Sequence, residues 1–385
     1  MYSVGNILNK DIQDFINANL TTDLHSLLLK KSPFPDVTMP EIVQQIKGRQ
    51  VAAKKFPFLL REHINFPPNL NLEQTSSQAT AEYKARSLRG NSFLDLTTGF
   101  GIDAYFLSQN FDDVTLVEQN SELIETVKHN WNILGRKATF FNQSLEDFLK
   151  ENKKAFDVVY MDPARRDLNK NKVFLLEDLS PNLLEIQDEL LKISSQTIIK
   201  LSPLIDLRYL ISVLENISKI EIIAVRNEVK EVLIYLDSKQ NSAKILCRCI
   251  NLESGDSPFE FFFGDEESAV AIYSEPEKYL YIPGNAVLKS GAFNLISERF
   301  NIKKLHPNTH LYTSNEFVED FPGRVLETEA VGPKSVKKGE QYNIISKNYP
   351  LKPEDIKKKY KLKDGGNQYL IFTQSQKGKI ILKSK

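Results

Sequence analysis

The amino-acid sequence predicts an α/β fold: a Rossmann-like, doubly wound sheet preceded by a helical region and followed by small α+β domains. Three observations carry this expectation. From residue 92 onward, short apolar runs alternate with amphipathic stretches of helical period. The first of these runs, Phe93-Leu94, leads into a turn with two glycines, Gly99-Phe-Gly101. Before residue 62 the apolar residues instead keep helical spacing, and near residue 252 a polar segment, Leu-Glu-Ser-Gly-Asp-Ser-Pro, interrupts the alternation.

Taken in order, residues 4–62 read as helical, with Ile7, Leu8, Ile12, Phe15 and Ile16 and then Ile42, Val43 and Ile46 on one face. Phe66-Pro-Pro-Asn breaks this region. A capped helix entry follows over 72–85, with Thr75, Ser76 or Ser77 as the cap. Strands are predicted at 114–117, 139–141, 156–161, 196–201 and 220–225, and helices at 121–131, 175–192 and 205–214. Residues 230–236 and 244–250 read as a terminal hairpin, with a further strand at 259–263. Strands at 279–282 and 309–312 around a helix at 286–300 predict a small α+β unit, punctuated by Phe321-Pro-Gly-Arg324. The last segment reads strand, helix, strand, strand. The expected domains are 1–84 (helical), 85–270 (cofactor-binding), 271–325 (small α+β) and 326–385 (basic).

At 385 residues the chain is long enough for two or three domains, and 41% hydrophobic residues supply ordinary cores. No apolar run approaches the roughly 20 residues of a membrane helix. The start, Met1-Tyr-Ser-Val-Gly-Asn, does not read as an export signal, so a cytoplasmic protein without membrane association is expected. Two cysteines exclude a disulfide framework, and five histidines without paired spacing predict no metal. Basic and acidic residues balance at 50 each, but residues 331–385 hold 14 lysines against 4 acidic residues, a net of +10. Such an end fits a docking arm for a polyanion, nucleic acid first; a solvated lysine-rich tail explains the charge equally well.

The stretch Phe93-Leu-Asp-Leu-Thr-Thr-Gly-Phe-Gly-Ile-Asp103 holds the candidate cofactor turn. Gly99 and Gly101 let the backbone turn sharply after a strand and approach a ligand closely. Read as Gly-x-Gly-x-x-Ala104, the turn also satisfies a dinucleotide fingerprint, so by itself it leaves a nicotinamide cofactor open. Asp95 would repel a pyrophosphate, yet suits the cationic amino-acid part of S-adenosylmethionine. Glu118, ending the next strand, suits ribose hydroxyls in either cofactor. Ser144 and Glu146, after the third strand, are candidates for an adenine edge, against the plainer reading of strand-end polar residues.

Asp95-Leu-Thr-Thr-Gly-Phe-Gly101, Val117-Glu118 and Met161-Asp-Pro-Ala164, in this order and spacing, resemble the class I S-adenosylmethionine-dependent methyltransferases over residues 85–260. Residues 72–85, Asp162-Pro-Ala-Arg-Arg-Asp167, Glu177-Asp-Leu-Ser-Pro181, Asn343-Ile-Ile-Ser-Lys-Asn-Tyr-Pro350 and Lys361-Leu-Lys-Asp-Gly-Gly366 extend the likeness over nearly the whole chain. They resemble a bacterial subfamily with a ferredoxin-like insert and a C-terminal THUMP-like domain. The resemblance implies S-adenosyl-L-methionine as cofactor, held by Asp95, Thr97, Gly99, Gly101, Asp103, Glu118, Ser144, Glu146 and Asp162. It also implies RNA as partner, since THUMP domains are RNA-binding modules.

Asp162, Pro163 and Arg165 are the catalytic candidates. Methyltransferases acting on exocyclic amines carry Asp/Asn-Pro-Pro-aromatic at this strand end; here Ala164 and Arg165 occupy the last two places. The stacking aromatic is missing, although an arginine can stack on a base or grip a phosphate. Uracil C5 enzymes with Asp-Pro-Pro-Arg need a cysteine after the fifth strand, where this chain has Lys200-Leu-Ser-Pro-Leu-Ile-Asp206, so a covalent route is rejected. Cys247 and Cys249 read as buried structural thiols. Ser76, Ser77, Thr80 and Lys84 read either as a wall over the cofactor's carboxylate or the substrate entrance, or as a plain helix cap with an exposed lysine. Arg165, Arg166 and Asp167 read either as part of the active edge or as a surface ion-pair network, and Ser180-Pro181 and Ser202-Pro203 as cleft closers or loop breakers. The leading expectation is methylation of a base nitrogen in rRNA or tRNA; a nicotinamide oxidoreductase and an RNA-binding adaptor with an inactive methyltransferase fold stand beside it.

Overall fold

The computed structural model describes residues 4–67, 72, 75–165, 175–239 and 244–385. The chain divides into two compact units: Met1–Ile217 with Ile234–Asn241, and Ser218–Leu233 with Ser242–Lys385.

The first unit opens with helices Val4–Ile7, Lys10–Ala18, Leu24–Leu28 and Met39–Lys55. Thr38 and Glu41 close a capping box at the start of the longest, with Pro40 in its first turn. Ile7, Ile12, Ile16, Leu27, Ile42 and Ile46 form a core between these helices. A buried amide pair ties this region to the rest of the unit. Asn65 N–H donates to Asn130 Oδ1 at 2.9 Å, and Asn130 Nδ2 returns a bond to Asn65 O at 2.8 Å.

The strands of this unit are β1 (Ser92–Asp95), β2 (Asp113–Val117), β3 (Thr139–Phe141), β4 (Phe156–Met161), β5 (Ala164–Arg165), β6 (Leu179–Ser180) and β7 (Ser194–Leu201). Strands β3, β2, β1, β4 and β7 lie side by side, each adjacent pair parallel. Strands β1, β2, β4 and the second half of β7 are buried, as in a parallel sheet covered on both faces, while the edge strand β3 exposes Thr139 and Phe141. Chain order steps outward from β1 to β2 and β3, then resumes on the other side of β1 with β4. The crevice beyond the carboxyl ends of β1 and β4 is therefore a topological switch point, where ligands of such sheets bind. The helix expected over 175–192 is shorter, Leu183–Ile193, because Pro181 interrupts it and Asn182 caps it, its side chain accepting from Leu184 N–H at 3.2 Å. The short antiparallel pair β5–β6 precedes it, and the Ser180-Pro181 peptide is cis.

Next in the chain, β8 (Ile217–Val225) turns into β9 (Glu228–Asp237) through Arg226 and Asn227, both at positive φ, 50° and 65°. Strand β10 (Leu246–Leu252) runs parallel to β8, and β11 (Phe259–Phe262) antiparallel to β10. The hairpin expected between 230–236 and 244–250 is thus corrected. The tight turn at 226–227 makes β8 the partner of β9, and β10 takes the other edge of β8. Cys247 and Cys249 are buried on β10, opposite Phe261 and Phe259. A mutual hydrogen bond and burial push the Cys247 thiol well above its usual value, as suits an unreactive core thiol.

Strands β12 (Tyr279–Pro283), β13 (Lys303–His306), β14 (Thr309–Ser314), β15 (Gly323–Ala330), β16 (Gln341–Ser346), β17 (Lys363–Ser375) and β18 (Gly378–Ser384) form one sheet in the order β13-β14-β12-β15-β18-β17-β16. The helix expected over 286–300 is two, Asn285–Ser290 and Leu295–Arg299, parted by Gly291 at φ 81°. Strand β15 pairs with β12 through residues 323–327 and with β18 through 328–330, so one strand is shared by both halves of this sheet. Leu280, Leu305, Leu311, Ile371 and Leu382 pack across those halves. Helix Pro353–Tyr360 covers the other face through Ile356, against Leu370, Phe372 and Ile381.

Candidate active site

Strands β1 and β4 are neighbours, with Asp95 opposite Tyr160, so Asp95 and Asp162 leave the sheet side by side at its carboxyl edge. Beyond Asp95 the chain turns over a cleft of about 220 Å³ lined by Asp95, Thr97, Gly99, Gly101, Asp103 and Asp162. Gly99 and Gly101 adopt φ of 54° and 76°. A Cβ on Gly101 would also come within 3.0 Å of Val127 and 3.1 Å of Trp131, so the turn needs glycine for both conformation and space. Thr97 joins the two strand ends: its N–H donates to Asp95 Oδ1 at 2.9 Å, and its Oγ1 accepts from Asp162 N–H at 2.6 Å.

Glu118, after β2, is half-buried; its carboxylate accepts from Gly99 N–H at 3.0 Å and from Asn120 N–H at 2.9 Å. It thus braces the glycine turn. Burial raises the Asp95 carboxyl well above the usual carboxylate range, and the charges of Asp103, Asp162 and Glu118 push the same way against the Thr97 hydrogen bond.

Asp103 lies in the first turn of helix Ile102–Leu107. Burial alone would raise its carboxyl, but the Lys84 and Lys200 ammoniums, with Ser76, hold it well below the usual range. Lys84 Nζ lies 2.7 Å from Asp103 Oδ1 and Lys200 Nζ 3.2 Å from Oδ2. Ser76 Oγ and Tyr160 OH each donate to Oδ2 at 2.7 Å. Lys200 Nζ also lies 2.5 Å from Asp162 Oδ2.

Several sequence-based readings are decided by these contacts. Ser77, not Thr75 or Ser76, caps helix Gln78–Ala85, accepting from Thr80 N–H at 3.2 Å. Lys84 is buried, contrary to the plain reading of an exposed lysine; its side chain is 1% exposed because it neutralises Asp103. Ser144 caps helix Leu145–Glu151, accepting from Asp147 N–H at 3.1 Å and donating to its carboxylate at 2.7 Å. Glu146 is exposed in that helix, and neither residue lines the cleft described above. Pro163 is buried beside Asp162. The side chain of Arg165, with Arg166 and Asp167, lies outside the described residues. Lys200 and Tyr160 were missed as site residues. The available signal was a lysine inside the otherwise apolar run of β7, a position lysine rarely occupies unless paired.

Comparison with known proteins places this geometry. Residues 279–322 match a ferredoxin-like domain family and residues 323–383 a THUMP domain-like family, while residues 77–186 match the family described as conserved hypothetical protein 95. A presumed methyltransferase from Porphyromonas gingivalis W83, known as a crystal structure, is 29% identical. It superposes with a TM-score of 0.87, covering 100% of this chain and 99% of its own. The chain shares the fold of that protein over its whole length and carries a ferredoxin-like and a THUMP-like domain at its C-terminal end. The chain is also 36% identical over 90 residues to an uncharacterised RNA methyltransferase of Mycoplasma mobile. That match spans 23% of this chain and 24%, about a quarter, of the relative's length. Among the described residues no group of His, Cys, Asp and Glu is arranged to hold a metal ion, and no helix is long and apolar enough to cross a membrane.

Proposed function

We propose that the chain transfers a methyl group from S-adenosylmethionine to a base nitrogen in RNA. The charge of the cleft carries the cofactor part. Asp95, Asp103 and Asp162 line the cleft with Lys200, Glu118 stands behind its glycine turn, and Lys84 is buried against Asp103. That leaves an excess of carboxylate that suits a ligand bearing a sulfonium and an ammonium, and opposes a pyrophosphate. The residues fit the cofactor in shape as well. The glycine turn presents backbone without a Cβ, and Glu118 holds acceptor oxygens at the β2 end, where ribose hydroxyls can reach them.

Bound there, the donor supplies a methyl group already activated by its positive sulfur. Asp95 receives the ammonium of the donor's amino-acid part, and Thr97 keeps the Asp95 and Asp162 ends in register. Asp162, with a side chain 42% exposed, faces the open cleft and accepts a hydrogen bond from the incoming nitrogen. That contact orients the nitrogen lone pair toward the methyl group. Pro163 stiffens the chain behind Asp162. The THUMP-like segment, the +10 charge of residues 331–385 and the RNA methyltransferase of Mycoplasma mobile support RNA as acceptor. A cytoplasmic location follows from that partner.

Calorimetric titration with S-adenosylhomocysteine and with NADH tests the cofactor; binding of NADH alone overturns it. Mass spectrometry of nucleosides from cells with and without the gene tests the acceptor. Loss of one N-methylated nucleoside is expected, and an unchanged profile overturns the RNA reading.

A further inference from the structure

Lys200 stands at the end of β7, buried, with its ammonium between the two carboxylates that matter most to this cleft. Nζ lies 2.5 Å from Asp162 Oδ2 and 3.2 Å from Asp103 Oδ2, and donates to Ser76 Oγ at 3.1 Å. The last two partners are themselves held. Ser76 donates to Asp103, Lys84 donates to Ser76 at 3.1 Å, and Tyr160 donates to Asp103. Asp162, by contrast, stands on the loop after β4 with much of its side chain in solvent. A carboxylate so placed would rotate freely and present either oxygen.

Resting on the methyltransferase reading, we propose that Lys200 is a positioning residue for the transfer: it clamps Asp162 through Oδ2 and so presents Oδ1 to the nucleophile. The clamp is rigid because the lysine stem is buried in the sheet and its head is braced by Ser76 and Asp103, two groups fixed from three other elements. As the nucleophilic nitrogen forms its bond to carbon at the expense of the carbon–sulfur bond, whose electron pair stays on sulfur, positive charge grows on the nitrogen. Its proton then passes toward Asp162 Oδ1 and on to solvent at the exposed side of that residue. A fixed acceptor meets this charge without reorganising, which is the advantage of a preorganised site.

The test compares wild type, Lys200→Gln and Lys200→Arg. S-adenosylhomocysteine affinity is measured by calorimetry, and tritiated methyl transfer is measured into total RNA from cells lacking the gene. Lys200→Gln should bind S-adenosylhomocysteine within about threefold of wild type while kcat falls about 100-fold, the size expected for a misplaced catalytic group. Lys200→Arg should recover at least tenfold of that loss. An affinity that falls in step with activity would overturn the proposal, since Lys200 would then be holding the cofactor; so would an unchanged kcat. If wild type binds S-adenosylhomocysteine but labels no RNA, the acceptor reading fails by itself. Crystal structures of the two complexes then decide the clamp: Asp162 unmoved in Lys200→Gln overturns it, and a rotated carboxylate supports it. Should Lys200→Gln not fold, the same measurements on Lys200→Arg take its place, with kcat lowered and S-adenosylhomocysteine affinity kept as the expected result and the reverse as the overturning one.

Discussion

Lys84 Nζ lies 2.7 Å from Asp103 Oδ1, inside the protein, although 18 residues and the whole of β1 lie between them in the chain. The pair fastens helix Gln78–Ala85 to the helix that follows the glycine turn. Removing Lys84 leaves the buried Asp103 carboxylate with the Lys200 ammonium, which it shares with Asp162, and so only partly compensated. Lys84→Met should therefore destabilise the first unit by about 3 kcal/mol. Urea unfolding followed by tryptophan fluorescence checks this through Trp131, the single tryptophan; a loss below about 0.5 kcal/mol would be that of a surface pair.

Asp103 also sets an acid limit. Its folded carboxyl titrates below the unfolded one, so its stabilising contribution is full above the unfolded value, about 4, and is lost as pH falls further. Stability should drop on acidification below about pH 4, and Asp103→Asn should start lower and show a shallower acid limb. Equal slopes for wild type and variant would assign the acid sensitivity elsewhere.

Asp95 has the opposite sign. Its raised carboxyl keeps a proton above the usual aspartate range in the free protein. An ammonium placed beside it draws the carboxyl back down, so cofactor binding should release a proton when pH lies between the ordinary and the raised value. Calorimetry of S-adenosylhomocysteine binding just above the ordinary aspartate value, in buffers of different ionisation enthalpy, reads this directly. Asp95→Asn should bind without the buffer dependence and more weakly.

Gly101→Ala should abolish cofactor binding. The residue needs φ of 76°, and the new Cβ would press on Val127 and Trp131. A left-handed alanine alone costs about 1–2 kcal/mol. The melting temperature should fall, and S-adenosylhomocysteine should no longer raise it.

RNA binding by the lysine-rich end should depend steeply on salt. Lys358 and Lys359 are exposed at the end of helix Pro353–Tyr360. If each contacts a phosphate, replacing either by alanine should weaken binding and lower the slope of log affinity against log salt by about 1. An unchanged slope in filter-binding titrations would remove these two lysines from the interface.

The parallel strands were legible because their apolar runs stand between polar turns; 139–141 and 156–161 were located to the residue. The turn at Gly99 and Gly101 was legible for the same local reason, since positive φ leaves a glycine in the sequence. Strand neighbours were not. The partner of β10 depends on which sheet edge β9 leaves free, and nothing within residues 246–252 encodes that.

The sequence by itself determined the alternating α/β order, the glycine turn, the acidic strand ends at 95, 118 and 162, and the basic end of the chain. These are properties of periodicity, backbone conformation and composition, each written in a few adjacent residues. Only the tertiary structure decided which charges meet. Lys84, Asp103, Asp162 and Lys200 come from four separate elements, and burial turns them into one coupled network. A lysine on a helix or at a strand end reads alike whether it faces water or a buried carboxylate. The energy of the choice lies in desolvation and pairing, which exist only once the chain has folded around them.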